Sequence, residues 1–134
     1  MCGKHVILVA EDDVDTATML EELLTLEGYE VELTATARAV LDALAERRFH
    51  AVLLDLTMPG MTTDRFVSEI EELGTPSPLM IFSARLPHEM QAIAERLHAA
   101  ALIPKPVDID VLLGTLSKVV LGSLGSLGST DIDR

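Results

Sequence analysis

Asp55 follows the apolar run Ala51-Val52-Leu53-Leu54 and precedes Leu56-Thr57-Met58-Pro59-Gly60, so a buried strand would deliver its carboxylate into a surface turn. Three other apolar runs end on polar groups in the same way. Val6 to Ala10 runs into Glu11-Asp12-Asp13, Leu79 to Phe82 into Ser83, and Ala99 to Pro104 into Lys105. Glu11, Asp12 and Asp55 offer hard oxygen donors of the kind that suits Mg²⁺, and a divalent cation would relieve their mutual repulsion. With no His or Cys in these motifs, zinc is a poor fit. Lys105 supplies a compact positive charge and Ser83 a neutral hydroxyl, both able to meet the oxygens of a phosphoryl group in transfer. Asp55 would then be the nucleophile, attacking phosphorus to give an aspartyl phosphate.

Each motif alone has a plainer reading. Glu11-Asp12-Asp13 could be an acidic helix start favoured by the macrodipole, Asp55 could be a turn residue, and Lys105-Pro106 is a common dipeptide. What separates the chemical reading from these is their joint occurrence at four strand ends. His5, His50, His88 and His98 are scattered and carry no ligand assignment.

The elements that position these groups follow from periodicity. Val6–Ala10, Ala51–Asp55 and Leu79–Ser83 are short continuous apolar runs, as expected for strands buried on both faces. Tyr29 to Ala35 alternates, with Val31 and Leu33 on one face and Glu30 and Glu32 on the other, which predicts an edge-like strand. A short fifth strand is expected over 101–103. Helical spacing joins Met19, Leu20, Leu23 and Leu24, with Gly28 as the stop. It recurs at Val40, Leu41 and Leu44 behind a Thr36 cap, at Phe66, Val67 and Ile70 up to Gly74, and from Pro87 through Leu97. A last helix is expected within 107–121, despite Gly114. Five strands alternating with five helices predict an α/β, doubly wound, five-stranded parallel sheet, (βα)5, with helices on both faces. In such sheets the functional crevice lies beyond the carboxyl ends of the strands, where all the polar residues above fall.

The chain has 134 residues, enough for one domain with a real core. Residues 1–121 are expected to form it, and 122–134, with its Gly-Ser-Leu repeat, to be a flexible tail or linker. A net charge of −12 argues against nucleic-acid or anionic-membrane binding by this domain and favours cations and basic protein surfaces. The lone Cys2 excludes an intrachain disulfide and reads as an incidental thiol. With no signal-peptide pattern and no long apolar run, a soluble cytoplasmic protein is expected.

Val9-Ala10-Glu11-Asp12, Leu53-Leu54-Asp55-Leu56-Thr57-Met58-Pro59-Gly60, Ser83-Ala84-Arg85 and Lys105-Pro106, in this order and spacing, resemble a response-regulator receiver domain of two-component signalling. The resemblance covers about residues 4 to 121. It implies the flavodoxin-like strand order 2-1-3-4-5. It also implies Asp55 as phospho-acceptor from a histidine kinase or phosphotransfer protein, and Mg²⁺ held by Glu11, Asp12, Asp55 and the backbone carbonyl of Thr57. Ser83 is implied as the switch hydroxyl, and Lys105 as the phosphoryl partner, with a cis bond to Pro106. Such a domain is a switch that catalyses its own phosphorylation and dephosphorylation rather than a metabolic enzyme. Its α4-β5-α5 surface would change affinity for a downstream target or for an output domain beyond the tail, and the resemblance allows a phosphorylation-dependent dimer.

Two positions depart from the pattern. Leu102 stands where an aromatic residue is usual, which points away from an aromatic readout. His98 replaces a usual Gly before the last strand. An interaction module that signals without phosphorylation is therefore kept as the alternative. A flavin-binding relative fits less well, because the loop after the first strand is acidic where a phosphate cradle needs Gly, Ser and Thr. Thr57 and Arg85 lie two residues beyond Asp55 and Ser83, where they would flank an attacking water, and Arg85 is expected to tune the lifetime of the phosphoryl group.

Overall fold

The computed structural model describes residues 5–84 and 87–131, those from 123 onward by backbone alone. Cys2 and Arg85 lie outside the described residues. Strands β1 (Val6–Ala10), β2 (Glu30–Thr34), β3 (Ala51–Asp55), β4 (Leu79–Ser83) and β5 (Ala101–Pro104) alternate with helices α1 (Val14–Leu26), α2 (Ala37–Glu46), α3 (Thr63–Leu73), α4 (Pro87–Leu97) and α5 (Ile109–Asp131). All strand pairs are parallel, in the order β2-β1-β3-β4-β5. This is the expected doubly wound sheet with β2 at an edge.

The pleat sorts each strand's side chains onto two faces. Leu8, Val52, Leu54 and Ile81 pack with α2, α3 and α4 through residues such as Val40, Leu41, Phe66, Ile70 and Met90. Ile7, Val9, Leu53, Met80, Phe82 and Ile103 pack on the other face with Leu20 and Leu24 of α1 and Leu112, Leu116 and Val120 of α5. β3 and β4 are buried along their whole length, which is why their sequences are continuously apolar rather than alternating.

Helix starts are set by side-chain caps. Asp13, Thr36 and Thr62 accept from the backbone N–H groups of Thr16, Ala39 and Arg65, satisfying donors that have no partner within the helix. Gly74 closes α3 in the left-handed conformation at φ 65°. The end of α5 differs from expectation: its backbone stays helical through Asp131 rather than stopping at Leu121. Ser and Leu are compatible with a helix, and each Gly weakens it by only about 1 kcal/mol, so composition alone placed the boundary too early. Among the described residues no helix is long and apolar enough to cross a membrane.

Candidate functional site

The period of two along each strand decides which side chains meet. Counting outward from Val9, Leu53 and Ile103 on the α1/α5 face, the next residues on that face are Glu11, Asp55 and Lys105, all at the carboxyl edge of the sheet. β1 and β3 are adjacent, so the first two carboxylates are neighbours. Glu11 and Asp55 are buried, at 3% and 5% exposure, whereas Asp12 is exposed. One carboxylate oxygen from each of the three lies within 4.8 Å of the others.

Lys105 directly follows β5, on the far side of β4. Its Nζ donates to Asp55 Oδ2 at 2.9 Å and lies 3.6 Å from Glu11 Oε1. The other Asp55 oxygen, Oδ1, accepts from the backbone N–H of Thr57 at 2.9 Å, so the turn after β3 fixes the carboxylate's orientation. Glu11 Oε2 accepts from the Asp13 N–H at 3.1 Å, while Glu11 Oε1 is buried and accepts no hydrogen bond. The Lys105 backbone is tied to β4 by donation from its N–H to the Ser83 carbonyl at 3.0 Å, and the Lys105–Pro106 bond is cis.

Ser83 is 3% exposed at the last position of β4, one residue past Phe82, whose register partner is Asp55. Thr57 and Ala84, just beyond the ends of β3 and β4, are exposed.

Burial pushes the Glu11 carboxyl up, reinforced by the charges of Asp55 and Asp12, and the Asp13 N–H and Lys105 only partly offset this. For Lys105, burial works to lower the ammonium's pKa, but the hydrogen bond and charge of Asp55, with the charge of Glu11, outweigh it and the net shift is upward. The lysine is thus held charged while one carboxylate pays for being buried.

A hard divalent cation fits this donor set: three oxygen-bearing side chains converge, and one buried oxygen has no donor of its own. Bound there, it would withdraw charge from oxygens brought next to Asp55. The acidic triplet divides its labour. Asp13 turns away to cap α1, with its pKa lowered by the Thr16 side-chain and backbone hydrogen bonds, while Glu11 and Asp12 face the cluster. The helix-cap reading of the triplet thus falls to Asp13, and Glu11 and Asp12 are the two that cluster with Asp55.

Sequence reasoning passed over Phe82. It sits beside Asp55 in register, and Lys105 Nζ lies 5.1 Å from its ring centroid. The signal was available in the pleat: Phe82 shares its face with the site residues on either side.

A family model described as the response regulator receiver domain matches residues 7–117. The transcriptional regulatory protein ZraR of Escherichia coli K12 is 34% identical over 114 residues, covering 85% of this chain and 26% of that protein. The sensory/regulatory protein RpfC of Xanthomonas campestris is 31% identical over 121 residues, covering 87% of this chain and 17% of that protein. The chain thus spans about a quarter or less of these relatives' length. Among solved structures, the chemotaxis response regulator CheY4 of Vibrio cholerae aligns with a TM-score of 0.74 at 26% identity, covering 87% of this chain and 98% of that one. The non-phosphorylated HemR receiver domain of Leptospira biflexa gives 0.77 at 27% identity, covering 87% and 94%.

Proposed function

The chain belongs to the response regulator receiver domain family, and we propose that it is a phosphorylatable switch in which Asp55 takes a phosphoryl group from a phosphohistidine on a sensor kinase or phosphotransfer protein. The observation that carries this reading is the state of the Asp55 carboxylate. It is buried, oriented through Oδ1 by the Thr57 N–H, paired through Oδ2 with Lys105, and clustered with Glu11 and Asp12.

In the transfer, an Asp55 oxygen forms a bond to phosphorus as the P–N bond breaks, and the electron pair of that bond remains on the departing imidazole. Glu11, Asp12, Asp55 and the Thr57 carbonyl would hold Mg²⁺, which would neutralise phosphoryl charge. Lys105, already directed at Asp55, meets an incoming phosphoryl oxygen without a large rearrangement, so its field is preorganised. Ser83, at the neighbouring strand end, donates its hydroxyl to another of those oxygens.

Hydrolysis of the aspartyl phosphate by water resets the switch, and Thr57 and Arg85, each two residues along the sequence from Asp55 and Ser83, are the residues proposed to tune its lifetime. Phosphorylation then alters the α4-β5-α5 surface toward a target or an output segment, with 122–134 as the connector, and self-association is one outcome of that change.

Leu102 favours a second reading, in which partners bind regardless of phosphorylation. It is half-buried against the α2-α3-α4 core and has no ring to reorient. The first reading is tested by intact mass. Incubation with Mg²⁺ and acetyl phosphate should add one phosphoryl group to the wild type and none to Asp55→Asn, and labelling that survives in Asp55→Asn moves the acceptor elsewhere. Partner affinity unchanged by the phosphodonor would favour the second.

A further inference from the structure

Asp55 ends β3 and Lys105 directly follows β5, and these two strands are not neighbours. β4 lies between β3 and β5, so the lysine must cross a distance of about 9.5 Å, two strand spacings. Its path runs over the α1/α5 face of β4, and the β4 side chain on that face in register with Asp55 is Phe82. Phe82 is 3% exposed and its register partner on β5 is Ile103, one step before Lys105 on the same face. The ring therefore forms the floor of the crossing, with Nζ 5.1 Å from its centroid, inside the range at which a cation is attracted by the ring's negative face.

We infer that Phe82 is a positioning residue for phosphoryl transfer: its ring holds the Lys105 ammonium in the arc that reaches Asp55. This rests on the phosphoryl-transfer reading above. The need for such a floor is visible in what surrounds it. A hollow of about 250 Å³ lies on this side of the site, lined by Thr16, Met19, Leu53, Phe82, Lys105 and Leu112. A lysine stem has many rotamers, and without the ring the ammonium could turn away from Asp55 toward the mouth of that hollow or toward solvent. An aliphatic side chain at position 82 would fill core volume but offer no attraction to the charge. Two interactions of different kinds thus fix the ammonium, a carboxylate in front and a π face beneath. The ring's attraction persists when the carboxylate is being esterified and its negative charge is leaving.

The test is a double-mutant cycle read by acetyl phosphate labelling in Mg²⁺, together with the NMR shift of the Lys105 ε-methylene protons. Phe82→Leu should slow labelling about fivefold, the size expected of a partly desolvated cation–π contact, and Phe82→Tyr should restore it. In a Lys105→Ala background Phe82→Leu should have no further effect. Leu and wild-type proteins that label equally fast, or a slowing that persists undiminished without Lys105, would overturn the inference. The NMR arm stands apart from activity. Upfield-shifted ε protons in the wild type and Phe82→Tyr, relaxing in Phe82→Leu, support the contact even if no label is taken up, and an unlabelled wild type then counts against the phosphoryl-transfer reading alone. Unshifted ε protons in the wild type overturn the positioning role.

Discussion

Glu11 Oε1 lies 3.6 Å from Lys105 Nζ, within ion-pairing range, yet it is buried and accepts no hydrogen bond. The lysine is committed to Asp55 instead, at 2.9 Å. Glu11 is therefore the member of the cluster whose ionisation is least compensated, and burial raises its pKa for that reason. A carboxyl whose folded pKa is raised contributes stability that is full below its unfolded value and lost as pH rises through the folded one. At neutral pH, with chelator present, Glu11→Gln should melt at a higher temperature than the wild type. Adding Mg²⁺ should reverse the order, because the wild type gains binding free energy that the Gln variant forfeits. Thermal scans of both proteins with chelator and with Mg²⁺ check this, and a Gln variant stabilised as much as the wild type by Mg²⁺ would remove Glu11 from the cation site.

Lys105→Ala deletes a hydrogen bond between two charged groups, a class of interaction worth about 1.5–3 kcal/mol. If that interaction carries over to the transferring group, labelling by acetyl phosphate should slow by roughly ten- to a hundredfold. Mg²⁺ affinity should move the other way, since a competing positive charge has gone. Lys105→Arg should rescue labelling only in part, because a planar fork does not place one point charge where the ammonium sat. Rates come from intact-mass time courses and affinities from Mg²⁺-dependent thermal shifts.

His50 marks the opposite end of the sheet. Its Nδ1 accepts from the Val6 N–H at 3.0 Å, joining the turn before β3 to the start of β1, and the His5 ring lies 4.9 Å away. Burial lowers the His50 pKa, with the charges of His5 and Arg48 acting in the same direction. Stability from the neutral ring is full above the unfolded value of 6.5 and is lost as pH falls through the lowered folded value. Urea midpoints should drop below pH 6.5 in the wild type and drop less in His50→Gln. Parallel pH profiles for the two proteins would exclude His50 as the cause.

Much of this was readable in the chain because burial writes a simple code. β1, β3 and β4 are walled by helices on both faces, so their sequences are unbroken apolar runs and their ends fall where the polarity changes. Glu11, Asp55 and Lys105 could be gathered for the same reason, each being the polar residue that follows such a run. Other features carry no such mark. The division between Asp13 as cap and Glu11 and Asp12 as cluster members depends on which way a turn points three adjacent acids. The role of Phe82 depends on strand order, since it matters only because β4 separates β3 from β5. The length of α5 depends on backbone propagation that composition does not report.

The C-termini of α3 and α4 pose the same backbone problem with different residues. Gly74 follows α3 at φ 65°, and His98 follows α4 at φ 54°, so both chains turn through the left-handed region. Glycine enters it without a Cβ clash, whereas other L-residues carry a penalty of about 1–2 kcal/mol. His98 is exposed, so little packing is available to offset that penalty. His98→Gly should therefore stabilise the fold. The gain is reduced by the greater entropy of an unfolded chain containing glycine, worth about 0.4–1 kcal/mol, which leaves a net effect of roughly 0.5–1 kcal/mol. Gly74→Ala should do the reverse, costing about 1 kcal/mol, since the open space around its Cβ position relieves no backbone strain. Urea unfolding should show the two midpoints displaced in opposite directions at a constant slope. A His98→Gly midpoint below that of the wild type would mean that the imidazole at this corner, between α4 and β5, makes a contact worth more than the strain it imposes.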